Sequence, residues 1–143
     1  MFKNRLVNIM LIIIISITLI GVVALVLFNY FSSSTEAGSD PTIDEIIENS
    51  WETEEITTNL NGGQLFRGRF RIHVDSDEGA SELEKRDFQV NNIIIHELAG
   101  MSANDIQTQD GINELETTLR SDIDEILDNG EVIRVYTTER MIQ

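Results

Sequence analysis

One membrane-crossing helix followed by a single small α+β domain is the fold class that the sequence predicts. Three observations carry it. Leu6 to Phe28 is an unbroken apolar run, residues 64–74 alternate with period two, and two helical stripes lie between residues 81 and 127.

The apolar run contains no charged side chain. Wound as a helix at about 1.5 Å per residue, it exceeds the roughly 30 Å of a bilayer's hydrocarbon core. Leu6, Ile12, Ile15, Gly21, Ala24 and Phe28 mark its course. Lys3 and Arg5 precede it, and no basic residue follows until Arg67. The positive-inside bias places residues 1–5 in the cytoplasm, the span at 6–30, and the remainder outside. A cleaved signal peptide is the competing reading. Its apolar core would be about 7–15 residues with a small-residue cleavage site, and Phe28-Asn29-Tyr30-Phe31-Ser32 offers none. An uncleaved anchor fits better. Ion pathways need ionisable groups within the membrane, and this span has none. Ser16 and Thr18 can bond a carbonyl one turn back. Gly21 and Ala24 are small, but the G-x-x-x-G spacing is missing.

The formal net charge is −15, and with Lys3 and Arg5 set aside the rest of the chain holds 8 basic against 25 acidic residues, or −17. Such a surface repels nucleic acid, whose binding needs clustered cations. The chain has no cysteine, so disulfides, thiolate nucleophiles and Cys-based zinc sites are ruled out.

Residues 31–41 are polar and read as a flexible tether, reaching at most about 37 Å when extended. The folded domain then occupies 42–143. Thr42 and Glu45 form a capping-box pair for a short helix to Ser50. Ile43, Ile46, Ile47 and Trp51 share one face, which either covers part of the core or docks a neighbour. Glu55 to Leu60 is β-branched and strand-like, and Asn61-Gly62-Gly63 signals a turn. In the next strand, Phe66, Gly68, Phe70, Ile72 and Val74 point one way, and Leu65, Arg67, Arg69, Arg71 and His73 the other. A hairpin with one buried face follows, with His73 exposed at the end of the arginine row.

Arg67, Arg69 and Arg71 in line are the most unusual local feature of so acidic a chain. They either pair with carboxylates of the same molecule, protect an edge strand, or form a basic face that meets an acidic face of a neighbouring copy. They are the candidate oligomer interface.

Asp75 to Ala80 reads as a solvated acidic loop. Counted as an EF-hand from Asp75, its glycine is one place early and Arg86 stands where the final glutamate belongs. Ser81 with Glu84 opens a helix whose stripe is Leu83, Asp87, Val90, Ile94, Leu98 and Met101, widened by Phe88 and Ile93, and ending near Gly100. Ser102 to Ile106 is a connecting turn. A second helix runs from Gln109 to Leu127 on Ile112, Leu115, Leu119, Ile123 and Ile126, with Asn129-Gly130 as its C-cap. Val132 to Ile142 closes the domain as a strand. Helices packed on one face of a small sheet are the expected layers.

No catalytic constellation is legible. His73 and His96 are the only histidines, and His96-Glu97 fails the H-E-x-x-H zinc pattern because Gly100 replaces the second histidine. There is no Walker loop, no G-x-G-x-x-G and no G-x-S-x-G.

Several segments, in their order, resemble the flagellar basal body-associated FliL family in its Gram-positive form. They are Glu55-Ile56-Thr57-Thr58-Asn59-Leu60, Glu84-Lys85-Arg86-Asp87-Phe88-Gln89-Val90, Ile93-Ile94-Ile95-His96-Glu97-Leu98, Asp110-Gly111-Ile112, and Gly130-Glu131-Val132-Ile133-Arg134-Val135-Tyr136-Thr137-Thr138. The basic N-terminus, single span and serine-rich tether fit as well. Phe88 stands where many members have proline, Asp124 near their asparagine, and Thr137 and Thr138 near an aromatic. The resemblance implies a stomatin-type outer domain and a non-enzymatic accessory of the flagellar motor without cofactor or metal. It also implies association with stator proteins of the MotA/MotB type and the basal-body ring, a homo-oligomeric ring, and support of torque and swarming. A membrane-anchored scaffold, sensor or binding module unrelated to motility is the alternative.

Overall fold

A computed structural model describes residues 4–34 and 40–143, and for residues 30–34 the backbone alone. The chain divides into two compact units, one on either side of the Asp40–Pro41 bond.

In the first unit, helix α1 spans Arg5–Ser34. Its segment Arg5–Asn29, 25 residues, is long and apolar enough to cross a membrane. Ser16 and Thr18 donate to the carbonyls of Ile12 and Ile14 at 2.8 and 2.5 Å, so neither hydroxyl needs a partner outside the helix. The helix continues to Ser34, into the stretch read as tether; residues 35–39 of that tether lie outside the described residues.

The second unit is α+β. Its strands are β1 (Ser50–Glu52), β2 (Ile56–Asn59), β3 (Leu65–Val74) and β4 (Val132–Ile142). β3 is central. It pairs antiparallel with β1 and β2 along one edge and with β4 along the other. Thr53 bridges the gap between the two short strands: its N–H donates to the Phe70 carbonyl at 2.8 Å, and its hydroxyl accepts from the Phe70 N–H at 3.1 Å. The turn before β3 places Gly62 and Gly63 at φ +117° and +91°, values that a side chain disfavours.

Helix α2 (Ile43–Glu48) precedes the sheet, with the Thr42–Glu45 capping box in place. α3 (Asp77–Lys85), α4 (Asp87–Gly100), α5 (Ala103–Gln107) and α6 (Gln109–Asp124) lie between β3 and β4. Phe66, Phe70, Ile72 and Val74 of β3 meet Leu83, Val90, Ile94, Leu98, Ile106, Leu115, Leu119 and Ile123 of the helices in one core. Each such side chain contributes about 1.5–3 kcal/mol of burial.

Several expectations need correcting. The acidic stretch after Asp75 is not a loop: α3 begins at Asp77, with the Ser76 hydroxyl capping the Gly79 N–H at 3.2 Å and Asp77 and Glu78 in the favourable first turn. Gly79 is there for close packing rather than for a turn, since an added Cβ would lie 3.0 Å from the Asn129 carbonyl oxygen. The single helix expected from Ser81 to Gly100 is two, broken at Arg86. The turn at Ser102 is a short helix with its own Ser102–Asp105 capping box. α6 stops at Asp124, so Asn129-Gly130 is not its cap but the bend into β4, Gly130 having φ +89°. Trp51 belongs to β1, and the apolar face of α2 is not core: Ile43 and Ile47 are 68% and 55% exposed. His73 is buried, not exposed. It sits at a β-bulge in β3, a strand that packs against both β1 and α2.

Candidate functional site: the open face of the sheet

Residues directly opposite one another in an antiparallel ladder share a face. The register therefore gathers Arg67 with Thr57 and Met141, Arg69 with Glu139, Arg71 with Glu52 and Tyr136, and His73 with Ser50 and Arg134. This is the face opposite Phe66, Phe70 and Val74, turned away from the core. The structure thus brings the three arginines together as a row and adds a fourth, Arg134, whose guanidinium lies 4.9 Å from the Tyr136 ring centroid. Arg134 was not legible as part of the site, because only the cross-strand register of β4 puts it there.

Each arginine of the row has a carboxylate nearby. Arg67 Nε lies 3.6 Å from Glu55, Arg69 Nε 3.5 Å from Glu139, and Arg71 Nη2 3.5 Å from Glu52. These are long, part-exposed pairs, each worth about 0–1 kcal/mol, so replacing them with other carboxylates costs little. Arg71 does more: its Nη1 donates to the Ser50 hydroxyl at 3.0 Å, and that hydroxyl donates to the Ile47 carbonyl at 3.1 Å. The row is not protecting an edge, because β3 is central. The outer strands are β1 and β2 on one side and β4 on the other, and α6 guards part of β4. Asp124 accepts from the Val132 N–H at 2.7 Å, Arg120 donates to the Val132 carbonyl at 3.0 Å, and Glu116 accepts from the Thr137 N–H at 2.9 Å.

A second polar cluster is structural. Glu82, missed in the sequence, accepts from Arg86 Nε at 2.7 Å and from the backbone N–H groups of Asp128 and Asn129 at 3.0 and 2.9 Å. Those donors, the Asp128 N–H foremost, hold its pKa down at about 2. Arg86 reaches on to Asp128 at 2.7 Å, so α3 is bolted to the turn before β4. The stabilisation is complete above the ordinary glutamate range and is lost as pH falls toward 2.

An open groove of 500 Å³ lies beside α6 and β4, walled by Gln107, Gln109, Ile112, Glu116, Thr137 and Arg140. Arg140 is engaged with the Ile106 carbonyl and Glu116 with Thr137. Among the described residues, no three His, Asp or Glu side chains converge as metal ligands.

An apolar helix of membrane-spanning length precedes an acidic α+β domain whose sheet carries a row of arginines on the face turned away from the core. The family model described as flagellar basal body-associated protein FliL matches residues 51–143, the sheet from Trp51 onward and helices α3 to α6. The flagellar protein FliL of Bacillus subtilis (strain 168) is 38% identical over 110 residues, which are 77% of this chain and 79% of that one. The chain belongs to the FliL family of flagellar basal body-associated proteins.

Proposed function

We propose that this chain is a non-enzymatic accessory of the flagellar motor. It associates with stator proteins of the MotA/MotB type at the basal body, assembles with copies of itself into a ring, and supports torque and swarming. Residues 1–5 face the cytoplasm, α1 crosses the cytoplasmic membrane, and the α+β domain, of stomatin type, works outside. The family match over 51–143 carries this reading.

The chemistry is compatible. The segment Leu6–Asn29 has no ionisable side chain, so it anchors without offering a route for ions. Arg67, Arg69 and Arg71 are the proposed self-association face. Their loose internal pairs can be traded for carboxylates of a neighbour, and a charge of −17 beyond Arg5 supplies those carboxylates over the rest of the surface. A surface used on one copy and answered by a different surface on the next is heterologous, the arrangement that closes rings.

Deletion of the gene tests the reading. Spreading through soft agar and over a surface should fall, and the full-length chain supplied in trans should restore both. Normal movement of the deletion strain in liquid and on agar would overturn it.

A further inference from the structure

His73 is the one titratable side chain of the open sheet face that is closed off from solvent, only 5% exposed. Its neighbours in the register are Ser50 on β1 and Arg134 on β4. Arg71 lies two residues away on the same face of β3. The Ser50 hydroxyl is the link already described, accepting from Arg71 and donating to the last turn of α2 at Ile47. The next residue of β3 completes the attachment, the Val74 N–H donating to the Asn49 carbonyl at 2.9 Å. His73 therefore stands across from the short polar chain that fastens α2 and β1 to the sheet.

A proton on His73 would place a cation on a side chain that is largely removed from water. Burial lowers its pKa, and Asp75 alone acts in the opposite direction. The other charged groups on the packed elements are Asp44, Glu45 and Glu48 of α2, Asp77, Glu78, Glu82, Glu84 and Lys85 of α3, Glu52 of β1, and Glu139 and Arg140 of β4. Glu52 is occupied by Arg71 and by the Thr138 hydroxyl at 3.0 Å. Asp75 is partly engaged too, accepting from the Glu131 N–H at 3.0 Å.

We propose that His73 is an acid-sensitive latch, whose protonation releases α2 and β1 from the sheet. The released segment, residues 43–52, is the part of the domain that the chain reaches first after α1. Freed and extended at about 3.4 Å per residue, it lengthens the connection between the membrane helix and the core of the domain by up to roughly 30 Å. The latch rests on the fold and not on the motor reading, so either can fail alone.

The sign follows from linkage. A histidine whose folded pKa lies below its unfolded value stabilises the closed form fully above the unfolded value of about 6.5, and progressively less below it. Hydrogen exchange of the full-length chain in lipid nanodiscs is the test, run at about pH 7.5 and about pH 5.5 and corrected for intrinsic exchange. Exchange of residues 43–52 should rise at least about threefold at the lower pH, while the core of α6 holds. His73→Gln should abolish the rise, and His96→Gln, on an exposed turn of α4, should leave it intact. A pH-independent segment 43–52, or the same rise in His73→Gln, would overturn the latch. Should that variant fail to fold, the wild-type imidazole titration decides: a midpoint at or above that of the denatured chain overturns it too.

Discussion

Gly111 shows how much a single missing side chain can decide. It opens α6 one turn from α5, and a Cβ there would lie 1.8 Å from the backbone oxygen of Asp105. Backbone cannot swing away as a side chain can. Gly111→Ala should therefore cost about 3 kcal/mol and lower the melting midpoint of the domain by more than about 10 °C. Gly100→Ala is the control, because nothing lies within 4 Å of its added Cβ. Calorimetry of the full chain checks both, and an unchanged midpoint for Gly111→Ala would contradict the packing described. The sequence offered Asp110-Gly111-Ile112 only as a familiar string; the close approach that requires the glycine is visible only in three dimensions. Glu82 was illegible for a similar reason. It is one acid among 25, and its partners at Asp128 and Asn129 are more than forty residues away.

Elements were legible wherever one physical signal dominated. Period-two burial marked β3, the 3.6-residue stripe marked α6, and β-branched residues marked β4. Boundaries failed where two signals competed. Around Gly79 the glycine signalled a loop while Ser76 capped a helix, and the cap won. Trp51 fitted the stripe of α2, but ladder pairing with Ile72 drew it into β1. The arginine row was visible as alternation, whereas its central position and its fourth member required the strand order. The row's proposed role belongs to this scale. Arg67, Arg69 and Arg71 all changed to Ser should weaken self-association about tenfold, three pairs at about 0.5 kcal/mol each, and should loosen α2, which Arg71 helps to fasten through Ser50, while leaving the core in place. Raising salt from about 0.1 to about 1 M shortens the Debye length from about 10 to 3 Å and should weaken wild-type assembly in the same way. Cross-linking of the full chain in nanodiscs reads both, and a triple variant that assembles undiminished at low salt would remove the row from the interface.

At the scale of the whole molecule, the division of labour is between a helix that offers no route for charge and a domain that is dense in it. The segment Arg5–Asn29, 25 residues and about 37 Å at 1.5 Å per residue, exceeds a hydrocarbon core of about 30 Å. The carboxylates all lie beyond the span. If the domain faced the cytoplasm, it could not meet the outer part of a motor, and both the proposed ring and the proposed stator contact would lose their setting. Protease added to intact protoplasts tests this most directly. The proposed topology predicts that the full-length chain is cut to a short membrane-held fragment without lysis. A chain that survives in intact protoplasts and is cut only after they are broken would contradict it.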